Sequence, residues 1–312
     1  MHRIRQFEER AMQLYRDGYM PGLVHAYSGQ EAIAIGVSAH LRTDDTITST
    51  HRGHGHCIAK GVDMTAMMAE NMGRSGGVCA GMGGSMHVAD VSLGILGANG
   101  IVAGGVGIAA GAAFSSATLD LDRVSICFVG DGSMNQGIVY ETMNIASLWR
   151  LPLIYVCEYN GFTEYTRTED LVAGDLSARA EAFGVRAYDV DGMDVVAVRA
   201  TAEEAISRAR AGEGPSMILA RTHRYYGHHV AEFDSAYRQE GELEHWQAQD
   251  PITRLGAVLV ERGVSEEVMA SIAKEVDVEL DKVVEDALGS PPPPVEQVER
   301  FVTVAADRES GR

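Results

Sequence analysis

Asp131, set in a Gly130-Asp131-Gly132 turn, and Asn160, 29 positions later, are the two residues whose types and spacing first suggest chemistry. Each closes an apolar run that reads as a buried strand. Val124-Ser125-Ile126-Cys127-Phe128-Val129 precedes the turn, and Leu153-Ile154-Tyr155-Val156-Cys157 precedes Glu158-Tyr159-Asn160. The segment between them, 136–149, has helical period. A strand–helix–strand unit of this kind crosses over right-handed and makes its strands parallel. A carboxylate and an amide oxygen are thereby delivered to the carboxyl edge of one sheet, where open α/β sheets bind ligands. Oxygen ligands carrying little charge suit magnesium, and glycine lets a backbone approach a diphosphate closely. The pair reads as a metal–diphosphate clamp. Either residue alone would read as an ordinary strand-ending turn.

Two polar constellations lie elsewhere. Thr48-Ser49-Thr50-His51-Arg52-Gly53-His54-Gly55-His56 crowds one Arg and three His into a glycine-rich turn. Unpaired charge is too costly for all of these to face a core, so they form either a site or a solvated turn. Arg224-Tyr225-Tyr226-Gly227-His228-His229 opens an aperiodic stretch, 223–240. Its adjacent His residues have no acidic or Cys partner at metal-ligand spacing. The stretch reads as a functional loop, with a plain exposed loop as the alternative.

The elements that must position these residues are legible in outline. Helical period marks 3–17, 29–41 and 62–73, followed by a Gly-rich loop over 73–84 and a Gly/Ala-rich helix from Gly100. A second pair follows, Val195–Ala211 as helix and Ser216–Ala220 as strand. Helices resume over Pro251–Ala287, and Pro291–Pro294 forms a stiff spacer. The expected fold is α/β, a mainly parallel sheet with helices on both faces. The domain would span 1–250, with a helical C-terminal extension and Pro-rich tail over 251–312. Gly105-Val106-Gly107-Ile108-Ala109-Ala110-Gly111 loosely resembles a dinucleotide fingerprint, but no strand precedes it and close helix packing explains its glycines.

At 312 residues and a net charge of −18, the chain is large enough for a sizeable core and too acidic for a nucleic-acid surface. No run has the apolarity of a membrane span, and the charged start lacks a signal-peptide core. The four cysteines show no ligand pairing and read as reduced thiols. A soluble, cytoplasmic protein is expected. The methionines between Met64 and Met86 suit either the core or a partner surface.

The Gly-Asp-Gly turn, the spacing to Asn160 and the run Gly132-Ser133-Met134-Asn135-Gln136-Gly137 resemble the α subunit of the thiamine-diphosphate-dependent decarboxylase/dehydrogenase component of 2-oxo acid dehydrogenase complexes. The resemblance runs from Arg3 to Pro291, and it implies a thiamine-diphosphate-binding fold. It also implies magnesium held by Asp131, Asn160 and the Phe162 carbonyl. Gly130, Gly132, Ser133, Arg52 and Arg224 would meet the diphosphate, and His51 lies beside it. Gly100 and Val102 would offer main-chain groups to the aminopyrimidine ring. His54 would be an active-site histidine, and His228 would line the channel through which the acyl group reaches a lipoyl arm. A neutral-range imidazole suits such proton handling.

The same resemblance implies that the activating glutamate belongs to a separate β subunit, giving an α2β2 heterotetramer that serves a lipoyl acyltransferase core. His25-Ala26-Tyr27-Ser28-Gly29-Gln30-Glu31-Ala32, the 49–56 segment and Asn160–Thr166 look most similar to acetoin-type subunits. Acetoin is therefore the expected substrate, with pyruvate or a branched-chain 2-oxo acid as the alternative. His223, His229 and Leu219 depart from the common pattern, so loop conformation is less constrained than cofactor binding. A non-catalytic assembly protein would have lost Asp131, Asn160 or Arg224. A magnesium-dependent phosphoryl-transfer enzyme would need a Gly-Lys-Ser/Thr loop, which the chain lacks.

Overall fold

The computed structural model describes residues 1–232 and 237–297. The expected tail beyond 297, and part of the 223–240 loop, lie outside the described residues. The chain opens with α1 (His2–Arg16) and α2 (Glu31–Ser38), then β1 (Thr46–Thr48), α3 (His54–Lys60), α4 (Met64–Asn71) and β2 (Ile95–Gly97). The glycine-rich helix is α5 (Gly104–Thr118), and it leads into the expected unit of β3 (Ser125–Gly130), α6 (Gly137–Leu148) and β4 (Leu153–Tyr159). A small hairpin follows, β5 (Phe162–Thr163) and β6 (Thr166–Arg167), and then α7 (Thr168–Leu171) and α8 (Leu176–Ala182). The second half ends with β7 (Arg186–Asp191), α9 (Val195–Arg210), β8 (Ser216–Arg221), α10 (Glu242–Gln247), α11 (Pro251–Glu261) and α12 (Glu266–Gly289).

Six strands form one parallel sheet in the order β2-β1-β3-β4-β8-β7. The β3–β4 register pairs Cys127 with Tyr155 and Gly130 with Glu158, so the strands end level. Alternate residues serve two cores. Ile126, Phe128, Ile154, Val156 and Ile218 pack with α2, α4, α9 and α12, whereas Cys127, Val129, Tyr155, Cys157 and Leu219 pack with α5, α6 and α8. Burial on both faces explains why these strands are uninterrupted apolar runs rather than alternating ones.

Helix α5 reaches the sheet through its small residues. A Cβ at Gly105 would sit 3.0 Å from Thr48, and Ala109 and Ala113 are buried against β3. Four of the methionines in question, Met64, Met67, Met68 and Met72, are core, while Met82 is exposed and Met86 lies at the ligand cleft. Helix α12 buries Val276, Leu280, Val283 and Ala287 in the core that also holds α4. Among the described residues no helix is long and apolar enough to cross a membrane.

Candidate active site

The carboxyl ends of β1, β2, β3 and β4 open into one cleft of about 270 Å³. It gathers Thr50-His51-Arg52 after β1, Asn99–Gly105 after β2, Val129–Ser133 at β3, Glu158 and Asn160 at the end of β4 and Phe162 from β5, with Arg224 and His228 from the loop after β8. Every sequence-expected site residue except His54 lines this cleft.

Asp131 is almost fully buried. Its Oδ1 accepts the Gly132 N–H at 3.0 Å, and Oδ2 accepts the Gly161 N–H at 2.9 Å and the Thr168 hydroxyl at 2.6 Å. A carboxylate has about four acceptor sites, so Oδ1 keeps one. Burial raises its pKa to about 6, and these three bonds together with Arg224 only partly oppose the rise. Asn160 donates to Gln30 Oε1 at 3.2 Å, while its own Oδ1 accepts the Phe162 N–H at 3.1 Å and retains a second lone pair. Gly132 is required by contact: an added Cβ would stand 2.5 Å from Thr163 Oγ1.

Opposite these oxygens are two buried guanidinium groups. Arg52 donates to the Ala26 carbonyl at 3.0 Å and the His228 carbonyl at 2.7 Å. Arg224 donates to the Glu164 carbonyl and, at 3.1 Å, to the Tyr237 hydroxyl, and its Nε is buried without a partner. Among the described residues neither forms a carboxylate pair. Burial first, and then Arg224, lowers the Arg52 pKa to about 9, and burial lowers that of Arg224.

Three imidazoles adjoin the cations. The ligand atoms of His25, His51 and His228 lie within 4.8 Å of one another. Burial and then the Arg52 charge depress His25 and His228 to about 3 and His51 to about 2, so all three are neutral near pH 7. His228 Nδ1 lies 3.4 Å from Arg52 and 3.2 Å from Arg224, which makes it an acceptor. His25 Nδ1 and His51 Nε2 are buried without partners.

His54 is placed elsewhere. It is buried behind the cleft, with Nδ1 at 3.0 Å from Glu8 Oε2 and Nε2 at 2.9 Å from Ser85 Oγ and 3.1 Å from Asn71 Nδ2. Both nitrogens are occupied, and the side chain does not line the cleft. His56, two residues on, faces the sheet: Nδ1 bonds Ser49 Oγ at 2.7 Å and Nε2 bonds Glu158 Oε1 at 3.0 Å. His223 is buried, stacked on Trp246, and not part of the cleft wall.

Among the lining residues that the sequence did not single out as site residues are His25, Gln30, Ser49 and Glu158. Glu158 carried a signal, an acid inside an apolar strand. Its charge is met by the Tyr27 hydroxyl and His56. His25 lies in the loop before α2 and Gln30 at that helix's N-cap; both fall in the 25–32 segment, which carried the family resemblance but no site assignment.

The sequence matches the family described as dehydrogenase E1 component over residues 1–296. It is 44% identical over 294 residues to the alpha subunit of acetoin:2,6-dichlorophenolindophenol oxidoreductase of Bacillus subtilis (strain 168), covering 94% of this chain and 88% of that protein. Identity to the subunit of the same name from Cupriavidus necator is also 44%, over 296 residues, with 94% and 89% covered. The pyruvate dehydrogenase E1 component subunit alpha of Porphyra purpurea is 39% identical over 309 residues, with 96% and 89% covered. A parallel-sheet cleft holding an Asp–Asn oxygen pair against two buried arginines, on a sequence matched almost end to end, places this chain in the dehydrogenase E1 component family.

Proposed function

We propose that this chain is the alpha subunit of a thiamine-diphosphate-dependent acetoin dehydrogenase, which cleaves acetoin and passes the two-carbon unit to a lipoyl acyltransferase. One observation carries the reading: among the described residues Arg52 and Arg224 are buried without carboxylate partners, and they line one cleft with Asp131 and Asn160, which keep spare oxygen sites. Buried cations of this kind are costly unless an anion arrives. The residues fit a magnesium diphosphate. Arg52 and Arg224 would hold the anionic oxygens, Arg224 Nε being an unused donor, and Asp131 Oδ1 with Asn160 Oδ1 would hold the ion. Side-chain space at Gly130 is open, which leaves room for a group against the backbone.

Thiamine diphosphate supplies an electron sink for carbon–carbon cleavage beside a carbonyl. The chain's own part is to bind and orient. Gly100 and Val102 line the cleft, and their main-chain groups would hold the aminopyrimidine ring. His25, His51 and His228 present neutral imidazoles that hydrogen-bond an uncharged hydroxyketone. The activating carboxylate comes from a β subunit, since Asp131 and Glu158 are both engaged within this chain. A partner is also favoured by the exposed apolar side chains Ile101 and Val102 at the cleft and Ile108 and Phe114 along α5. The assembly would be α2β2 and cytoplasmic, in keeping with Cys57, Cys127 and Cys157 buried as free thiols.

Acetoin is preferred because the two 44%-identical relatives are named for it. The alternative substrate is pyruvate or a branched-chain 2-oxo acid, in line with the 39%-identical pyruvate dehydrogenase subunit. The test is dichlorophenolindophenol reduction by the chain co-expressed with its β partner, with the three substrates compared and Asp131→Ala as control. Acetoin turnover abolished by the control is expected. Faster turnover of pyruvate would overturn the substrate, and no cofactor-dependent turnover would overturn the activity.

A further inference from the structure

Glu70, at the end of α4, is fully buried and makes no ion pair among the described residues. Its carboxylate is enclosed by the glycine-rich loop. Oε2 accepts the N–H groups of Cys79 and Gly81, each at 2.8 Å, and Oε1 accepts those of Gly83 at 2.7 Å and Gly84 at 3.0 Å. Successive backbone N–H groups turned inward make an anion-binding concavity, and here the anion is the protein's own. The loop is shaped for it: Ala80, Gly81 and Gly84 have φ of 55°, 78° and 61°, and a Cβ at Gly77 would lie 2.3 Å from Glu70 Oε2.

The loop leads directly to the cleft. Ser85 is tied to His54 at 2.9 Å, Met86 lines the cleft, and His87 Nε2 accepts the Gly100 N–H at 3.4 Å. The next residue continues the brace, its Val88 carbonyl accepting the Ala98 N–H at 2.8 Å. Segment 85–88 thus backs segment 98–100 along its length.

Resting on the functional reading above, we infer that Glu70 is a positioning residue for cofactor binding: its carboxylate, held by four loop N–H groups, fixes the segment through which Met86 and His87 brace Gly100. Glu70 touches neither substrate nor cofactor. A glutamine there offers one acceptor oxygen and one amino group, so two of the four loop N–H groups would face another donor. The loop then shifts, and the Gly100 edge loses its support while the Asp131–Asn160 pair is untouched.

The experiment uses the complex with the β subunit, comparing Glu70→Gln, Glu70→Asp, His87→Ala and a remote core control, Ile206→Val. Cofactor KM, kcat at saturating thiamine diphosphate, and amide exchange over 79–102 with and without cofactor are measured. Glu70→Gln is expected to raise cofactor KM about tenfold with kcat within about twofold. Exchange at 79–84 should rise, and cofactor-induced protection at 98–102 should fall. Glu70→Asp, which keeps the charge, should recover part of the KM. His87→Ala should raise KM while leaving 79–84 protected, and it decides the matter where Glu70→Gln does not assemble. A KM unchanged in His87→Ala, or raised equally in Ile206→Val, would overturn the inference, as would a fall in kcat at constant KM. No thiamine diphosphate binding by the wild-type complex would overturn the functional reading itself, and this inference with it.

Discussion

Replacing Arg52 by methionine should raise the stability of the apo protein while weakening cofactor binding. The guanidinium is buried, and its pKa falls from the ordinary 12.5 to about 9 because of desolvation and the neighbouring Arg224 charge. At 1.36 kcal/mol per pKa unit, holding the charge costs the fold about 5 kcal/mol. The bonds to the Ala26 and His228 carbonyls return roughly 3 kcal/mol. Methionine, similar in length and uncharged, removes both contributions, for a net gain of about 2 kcal/mol. For a chain of this size that is an upward shift of about 4 °C. The cofactor, deprived of one buried charge partner, should bind at least about thirtyfold more weakly. Differential scanning fluorimetry with and without magnesium thiamine diphosphate reads both effects. At a concentration of about 100 wild-type Kd the wild type gains about 2.7 kcal/mol from ligand, and the variant gains at most about 0.9 kcal/mol. A lower apo melting temperature in Arg52→Met, or an unchanged cofactor-induced shift, would refute the reasoning.

Three other outcomes follow from the same geometry. Asp131 must lose its proton to hold magnesium and titrates at about 6, so at pH 5 magnesium affinity should be roughly tenfold weaker than at pH 7, as calorimetry would register. His25, His51 and His228 are held neutral far below their unfolded pKa of ~6.5, so the unfolded state binds more protons as pH falls through that value. From pH 7.5 to 5.5 this costs the fold about 1.4 kcal/mol each for His25 and His51 and less for the more open His228, about 3 kcal/mol together. Protonation of Asp131 offsets under ~1 kcal/mol of that, and urea melts at the two pH values check the difference. His54→Gln breaks up the buried set of Glu8, Asn71 and Ser85. It should lower stability by about 2 kcal/mol and raise cofactor KM, yet leave kcat at saturating cofactor within about threefold, which steady-state kinetics would show.

The strands that carry the clamp were legible because each is buried on both faces and therefore uniformly apolar. Strands β1 and β2 were not, since three residues are too few for a period. Strand β7 was missed because, at the sheet edge, it carries Arg186, Asp189 and Asp191. Asp131, Asn160, Arg52, Arg224 and His228 could be named from the sequence, since they immediately follow strands or polar turns. His54 could not be placed, because residues i and i+2 of a helix point in different directions. In α3 only His56 faces the cleft wall. The Glu70 enclosure left no trace in the sequence, as all four of its partners are backbone groups.

The central claim is a magnesium–thiamine diphosphate site built on Asp131, Asn160, Arg52 and Arg224. Calorimetric titration of thiamine diphosphate into the complex with the β subunit, with and without a magnesium chelator, tests it most directly. The account predicts one cofactor per αβ pair, bound only with magnesium and lost in Asp131→Ala. Binding that ignores both the chelator and the substitution would contradict it.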